Sequence, residues 1–241
     1  MPHLVLIPGL NNTAAAFDGV IAALPAAIQP HPVNCPALPS VDAIADALAA
    51  GFPERFWLAG FSFGGYVAMA ILERYRARVQ GIAMLCSTPF ADSDAQRERR
   101  QAAIERARKG EHLAMVEAAS ANTMHPDSLK NPALVAARRA MVADYGAQRY
   151  IAHTQAVMAR PDRSALLDGS LPTLVMTASH DQVVPPASVL GYAARIPGAR
   201  TAVVEAAGHL AVLEQPAAVA SLLAAWIGDA GTATAASSPS E

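Results

Sequence analysis

The segment Gly60–Gly64 carries a serine at its centre, in the pattern Gly-x-Ser-x-Gly. It follows a short apolar run and precedes an amphipathic one, which predicts a strand, a sharp turn and a helix. Glycines at 60 and 64 lack the Cβ atoms that would clash across such a turn. The helix that begins there directs its N-terminal amides toward developing negative charge. We interpret Ser62 as a nucleophile, although the pentapeptide alone also fits a glycine-rich turn around an ordinary serine.

A serine hydroxyl reacts only when a base takes its proton and a third group orients that base. Asp181 and His209 follow later predicted strands, so both are expected at the sheet edge that holds Ser62. Their order along the chain is serine, aspartate, histidine. His180 precedes the last strand and is therefore wrongly placed for the base. Two alternatives stay open: Asp181 could cap the helix after Pro185, and a single histidine is often structural.

Two backbone amides are needed to hold the oxyanion that forms when an acyl carbonyl is attacked. We assign one to Phe63, directly after the serine. We assign the other to Leu10, in the turn over residues 8–12 that follows the first predicted strand. The Asn11 side chain could add a donor there, or an asparagine at this position could cap the next helix.

The composition is that of a globular α/β protein rather than a nucleic-acid-binding or membrane protein. The 241 residues are 53% hydrophobic and 16% charged, with a net charge of −2. No apolar stretch approaches the length of a membrane span. No basic residue precedes the first apolar run, which Pro8 ends, so we expect no signal peptide and a cytoplasmic location. Cys35 and Cys86 have no metal-binding or redox spacing, and we expect free thiols.

Apolar runs and helical patterns alternate along most of the chain, which predicts an α/β fold with a mostly parallel sheet flanked by helices. We expect about six strands, over residues 4–7, 28–34, 56–60, 79–86, 171–177 and 201–205. Pro30 and Pro32 favour an edge position for the second strand. The α/β core would comprise residues 1–90 and 167–228, followed by a small, polar and mobile tail over 229–241.

Residues 91–166 interrupt this alternation, because helix formers and charges dominate there and no strand is evident. Since the segment is too long for an ordinary loop, we interpret it as a helical cap. Its first helices carry the basic cluster Arg97, Arg99, Arg100, Arg106, Arg108 and Lys109. This cluster is either a docking face for an acidic acyl carrier protein or a solvated helix face. Methionines either line an acyl pocket or simply pack, at Met115, Met124, Met141 and Met158.

With these motifs the chain resembles the α/β-hydrolase superfamily over nearly its whole length. Within it, the chain is similar to small capped carboxylesterases of the pimeloyl-carrier-protein methyl ester esterase type. The resemblance rests on the nucleophile elbow around Ser62, on Gly208-His209-Leu210, and on residues 155–167, which look like the end of a cap. Two positions depart from the family pattern: Pro8-Gly9 replaces the usual His-Gly, and Ala178 replaces a glycine.

The resemblance and the candidate triad together imply a serine hydrolase that cleaves small or medium acyl esters through an acyl-enzyme. His209 would take the proton of Ser62, and Asp181 would fix the imidazole tautomer. The Leu10 and Phe63 amides would hold the oxyanion, without a metal or cofactor. The same triad also serves lactonases, C–C bond hydrolases and lyases, and a non-enzymatic ligand receptor on this fold is a further alternative.

Overall fold

Six parallel strands form one sheet in the order β2-β1-β3-β4-β5-β6. The computed structural model describes residues 1–236 of the chain. The strands are β1 His3–Ile7, β2 Gln29–Pro32, β3 Phe56–Phe61, β4 Val79–Leu85, β5 Thr173–Ala178 and β6 Arg200–Val204. Every strand pairing in the sheet is parallel. The predicted α/β fold with about six strands is confirmed.

Helices cover both faces of the sheet. They are α1 Asp18–Ala23, α2 Val41–Ala49, α3 Phe63–Arg74, α4 Asp94–Arg108, α5 His112–Ala118, α6 Ser120–Thr123, α7 Pro132–Ala159, α8 Pro186–Ala193, α9 Ala211–Glu214 and α10 Pro216–Ala236. Ser40 caps α2 by accepting a hydrogen bond from the Ala43 amide at 3.4 Å. Ser93 and Gln96 form a capping box at the start of α4.

The central strands are buried along their whole length, because helices pack on both sides of them. All six residues of β3 are buried, and β4 is nearly as enclosed. Successive residues of β1 pack on opposite faces of the sheet. Leu4 packs on the face covered by α1 and α10, and Val5 packs on the face covered by α2 and α3. Burying one such aliphatic side chain contributes about 1.5–3 kcal/mol. The proline-containing β2 lies at the edge, as its sequence predicts.

Between β4 and β5 the chain forms helices α4 to α7, residues 94–159, which we call the helical insertion. It contains no strand, in agreement with the sequence. Its two ends are joined by Arg160, whose Nη1 lies 2.8 Å from Asp92 Oδ1 in a buried ion pair. α7 is kinked at Gly146, where φ is 75° and ψ is 159°. This kink was not predicted from the sequence, because glycine inside a helical pattern is often simply tolerated.

The last helix is longer than its sequence predicts. We expect it to end near Ile227 and to be followed by a mobile tail over residues 229–241. α10 instead continues to Ala236, so the predicted end of the helix near Ile227 is wrong. Alanine is the strongest helix former and recurs through residues 229–236, which offsets the cost of Gly231. The mobility of the tail stays a prediction. Residues 237–241 of the predicted tail lie outside the described residues. Within residues 1–236, no helix is long and apolar enough to cross a bilayer.

Candidate active site

Ser62 lies at the sharp turn between β3 and α3. Its φ of 51° and ψ of −114° place it in a backbone region that a residue with a side chain rarely adopts. A Cβ atom on Gly60 would lie 2.4 Å from the Gly64 carbonyl oxygen. A Cβ atom on Gly64 would lie 2.1 Å from the Ile7 carbonyl oxygen. The two glycines are therefore required sterically, for the reason that the sequence pattern indicates.

The structure brings the three predicted side chains into one hydrogen-bonded chain. The Ser62 hydroxyl lies 2.8 Å from His209 Nε2, and His209 Nδ1 lies 2.8 Å from Asp181 Oδ2. Because a carboxylate only accepts, Nδ1 carries the hydrogen and Nε2 is free to accept from the serine. Both Asp181 and His209 are buried. This geometry meets the requirement for a nucleophile, a base and an orienting acid.

Asp181 also orders its own loop. Its Oδ1 accepts hydrogen bonds from the amides of Val183 and Val184, both at 2.8 Å. These amides precede α8, which begins at Pro186, so Asp181 does not cap that helix through its first turn. The carboxylate therefore fixes the loop with one oxygen and contacts His209 with the other.

Cys86, directly after β4, also belongs to this site, although its sequence context predicts no more than a free thiol. It is fully buried and has a φ of 48°. Burial raises the pKa of its thiol well above the ordinary value, and the neighbouring Asp181 carboxylate, with a hydrogen bond to the thiol, adds to the rise. The thiol therefore stays protonated and does not compete as a nucleophile. Cys86 follows β4, and β4 neighbours the strand that leads into Ser62. This position is the one signal in the sequence that could have revealed Cys86 as a residue of the site.

The loop that carries His209 is held from two sides. Glu214 accepts the Gly208 amide at 3.0 Å with one carboxylate oxygen and the His125 amide at 2.6 Å with the other. A Cβ atom on Gly208 would lie 2.7 Å from the backbone of Met124. The histidine loop therefore packs directly against the segment that leads from α6 to α7, and glycine is needed for this approach.

The two predicted oxyanion residues lie beside Ser62. Leu10 and Phe63 both line the cavity that contains the serine hydroxyl. Neither amide has a hydrogen-bond acceptor within the described part of the chain. Asn11, which follows Leu10, does not cap a helix: its Oδ1 lies 2.7 Å from His112 Nε2, on α5.

The cavity has a volume of about 580 Å³, within the range of small-molecule sites. The helical insertion supplies much of its wall, including Ala103, Met115, Val116, Ala119, Thr123 and Tyr150. Met115 is the one of the four noted methionines that lines it. Met124 lines a separate cavity of about 360 Å³, and Met141 and Met158 line neither.

Most of the basic cluster on α4 is neutralised by the protein's own carboxylates. Ion pairs of 2.6–2.7 Å join Arg97 to Asp94, Arg100 to Asp92, Arg106 to Glu111 and Arg108 to Glu105. Arg99 and Lys109 are exposed and take part in no ion pair with a described residue. The free positive charge on this face is thus smaller than the sequence suggests.

A family model described as "Alpha/beta hydrolase family" matches residues 4–222. The chain belongs to the alpha/beta hydrolase family. Two proteins named pimeloyl-[acyl-carrier protein] methyl ester esterase are similar to this alpha/beta hydrolase. The one from Nitrosomonas europaea is 31% identical over 36% of this chain, and the chain covers only 38% of that relative. The one from Aeromonas hydrophila is 25% identical over 94% of this chain and 96% of its own length.

Solved structures agree with this family. A thermophilic esterase from Thermogutta terrifontis has a TM-score of 0.90 at 25% identity, over 95% of this chain and 90% of its own. An enol-lactonase from Burkholderia xenovorans LB400 has a TM-score of 0.84 at 21% identity, over 94% and 91%, and shows the fold alone. The prediction that the chain is an enzyme of the α/β-hydrolase class is confirmed.

Proposed function

We propose that this hydrolase cleaves small or medium acyl esters through an acyl-enzyme on Ser62. One observation carries the proposal: the hydrogen-bonded chain from Ser62 through His209 to Asp181, which lies at the wall of the 580 Å³ cavity. The names of the similar esterases support the choice of an ester bond.

In the first step, Ser62 Oγ attacks the acyl carbonyl and its proton moves to His209 Nε2. The tetrahedral oxyanion forms beside the Leu10 and Phe63 amides, which have no acceptor among residues 1–236 and can donate to it. His209 then gives its proton to the leaving alcohol as the ester C–O bond breaks, which leaves the acyl group on Ser62. Asp181 keeps hydrogen on Nδ1 and stabilises the imidazolium.

In the second step, a water molecule takes the place of the alcohol. His209 accepts a proton from that water, whose oxygen attacks the acyl carbonyl. The second tetrahedral oxyanion uses the same two amides. His209 then returns the proton to Ser62 Oγ as the acyl–serine bond breaks, and the carboxylic acid leaves.

We infer that residues 91–166 act as a cap over a core formed by residues 1–90 and 167–228. Support comes from the cavity wall, which combines the catalytic edge of the sheet with α4, α5 and α7. Such a cap excludes water and limits the acyl group to what the enclosed volume accepts. It also makes a lipid surface a poor substrate.

We further propose an acidic acyl carrier protein as a partner that presents the ester, in a cytoplasmic location. The names of the two esterase relatives support this partner, as do the charges of Arg99 and Lys109, which are exposed and form no ion pair with a described residue. Carrier-linked ester hydrolysis should fall in Arg99→Glu/Lys109→Glu, while hydrolysis of a free methyl ester of the same acyl chain should not. Equal effects on both substrates would contradict this partner.

Purified wild-type protein and Ser62→Ala should be compared on p-nitrophenyl esters, lactones and carrier-linked methyl esters. We expect wild-type turnover of esters and a loss in kcat on the order of 10⁴-fold or more in the variant. Circular dichroism should show an unchanged fold. A lactone preferred over every ester would replace the ester substrate with a lactone, and the absence of any turnover would favour a ligand receptor.

A further inference from the structure

Two side chains of the helical insertion hold the loop that carries the Leu10 amide. The guanidinium of Arg138, on α7, is buried and donates from Nη1 to the Asn11 carbonyl oxygen. The same nitrogen lies 3.4 Å from Asn12 Oδ1. Within the described part of the chain, Arg138 forms no ion pair with a carboxylate. Its polar contacts there are therefore directed at the loop and not at a charged neighbour.

His112, on α5, holds the same loop from a second point. Its Nε2 lies 2.7 Å from Asn11 Oδ1, an amide oxygen that only accepts, so Nε2 carries hydrogen and donates. The side chain of His112 is buried. Burial lowers its pKa, and the positive charge of Arg138 lowers it further, so His112 stays neutral in the physiological range. Arg138 and His112 thus bind the backbone and the side chain of one residue, Asn11.

The insertion contacts this loop at a third point, because the Asn11 backbone hydrogen-bonds to the Tyr145 hydroxyl on α7. Asn11 has a φ of 60°, in the left-handed region that asparagine tolerates better than most residues. Asn12 donates from Nδ2 to the Leu10 carbonyl at 2.8 Å and from its backbone amide to the Gly9 carbonyl at 3.1 Å. These bonds shape the turn internally but do not anchor it to the rest of the protein.

The other oxyanion residue is also braced by α7. The ring of His153 stacks on that of Phe63, with centroids 4.7 Å apart and planes inclined by 20°. His153 is fully buried; its Nε2 donates to the Pro36 carbonyl at 2.7 Å, and the Tyr145 hydroxyl donates to its Nδ1. One helix of the insertion therefore contacts both backbone segments that supply the proposed oxyanion amides.

We propose that Arg138 and His112 are positioning residues for the oxyanion hole. The hole is complete only while the helical insertion contacts the loop that carries Leu10 and Asn11. This inference rests on the proposed function. Asn11 is held in its left-handed conformation from the insertion, and its neighbour Leu10 keeps its amide free beside Ser62. An oxyanion-hole donor acts mainly in the transition state, so losing its alignment lowers kcat more than it raises KM.

The test compares Arg138→Met and His112→Ala on p-nitrophenyl acetate. We expect kcat to fall about 10- to 100-fold in each, a part of the 10²–10³-fold effect of deleting a donor, with KM within about threefold of wild type. Arg138→Lys and His112→Gln keep a donor and should recover much of the rate. Arg139→Met is the matched control, since Arg139 is exposed and pairs with Glu117; its kinetics should match wild type.

Asn11→Gly keeps the left-handed conformation accessible and removes the side chain whose oxygen accepts from His112, so it tests the contact even if His112→Ala fails to fold. It should lower kcat like His112→Ala, and adding His112→Gln to Asn11→Gly should change kcat no further. A trifluoromethyl ketone, which forms an oxyanion on Ser62, should bind more weakly to Arg138→Met and Asn11→Gly. A simple alcohol inhibitor should bind each variant as it binds wild type.

Wild-type kcat in folded Arg138→Met or in Asn11→Gly would overturn the proposal while leaving the ester hydrolase intact. An effect confined to KM, and seen only with esters that carry a carboxylate, would show instead that Arg138 binds an anionic substrate group. If wild type itself has no Ser62-dependent turnover, the proposed function fails rather than the positioning role alone.

Discussion

His209 contacts the carboxylate of Asp181, which the backbone amides of the Asp181 loop already hold in place. The Oδ2 atom of Asp181 lies 2.8 Å from His209 Nδ1, while Oδ1 accepts two backbone amides at 2.8 Å. The carboxylate cannot rotate without losing those amides. His209 is therefore held in the tautomer whose free Nε2 faces Ser62.

Asp181→Asn should lower kcat by about 10⁴-fold, the size of the effect of this change in a serine protease triad, with KM little affected. If the asparagine oxygen keeps the two loop amides, its NH₂ group faces His209 Nδ1. That nitrogen must then be the acceptor, so Nε2 carries hydrogen and cannot take the serine proton. Asp168→Asn is the matched control, because Asp168 accepts the Ser170 amide at 2.9 Å in an exposed loop. Steady-state kinetics that find Asp181→Asn as active as Asp168→Asn would remove Asp181 from the mechanism.

Gly64→Ala should strongly destabilise the fold, because the new Cβ would lie 2.1 Å from the Ile7 carbonyl oxygen. Neither atom belongs to a flexible side chain, so the elbow must move away from β1. Gly228→Ala lies at an exposed position of α10, where the new Cβ would meet no described atom within 4 Å apart from its chain neighbours and its own helix backbone. It should instead be neutral or stabilise by about 0.5–1 kcal/mol. Urea denaturation of both variants measures the difference. A Gly64→Ala protein as stable as wild type would contradict the close approach.

His153 should make the fold sensitive to acid. Burial lowers its pKa from 6.5 to about 4, although its bond to the Pro36 carbonyl opposes the shift. Between these values the unfolded chain binds a proton that the folded chain does not. The free energy of unfolding should therefore fall as pH drops from about 6.5 to about 4, by up to about 3 kcal/mol, and be fully retained above that window.

His153→Gln should flatten that part of the pH profile, because glutamine does not titrate. His180→Gln serves as the control, since His180 is exposed, and it should keep the wild-type profile. Denaturant titrations at pH 7 and pH 4.5 give the comparison. An equal loss of stability in wild type and His153→Gln would mean that other groups carry the acid sensitivity.

The cavity should limit the acyl chain. We expect good turnover of p-nitrophenyl esters from acetate to about octanoate and poor turnover of long-chain triglycerides, because the helical insertion closes over the site. The measurement is kcat/KM along the chain-length series, with a soluble short-chain ester as the reference. A maximum at palmitate, or activation on emulsified lipid, would show that residues 91–166 do not act as a closed cap.

Local rules made most of the fold and the three central residues predictable from the sequence. The glycines around Ser62 mark a turn that only such residues permit, and alternating apolar runs and helices specify a parallel sheet. Because all parallel strands end at one edge, Asp181 and His209 could be placed near Ser62 without knowing their distance. The roles of these residues stay predictions until they are measured.

The contacts of the insertion could not be predicted, because no local pattern encodes them. His112 and Asn11 are 101 positions apart, and Arg138 and Asn11 are 127 apart. These contacts depend on how α5 and α7 pack on the edge of the sheet. That packing in turn depends on the kink at Gly146. The free charge of the basic cluster on α4 could not be predicted from the sequence either, since several arginines of α4 pair with the protein's own carboxylates.

Covalent labelling tests the central claim most directly. A fluorophosphonate should add one phosphonyl group per chain, and peptide mass spectrometry should place it on Ser62. Ser62→Ala should stay unlabelled. Ser188→Ala, which removes another serine of the cavity wall, should be labelled like wild type. An adduct on Ser188, or ester turnover that persists in Ser62→Ala, would contradict the assignment of Ser62 as the nucleophile.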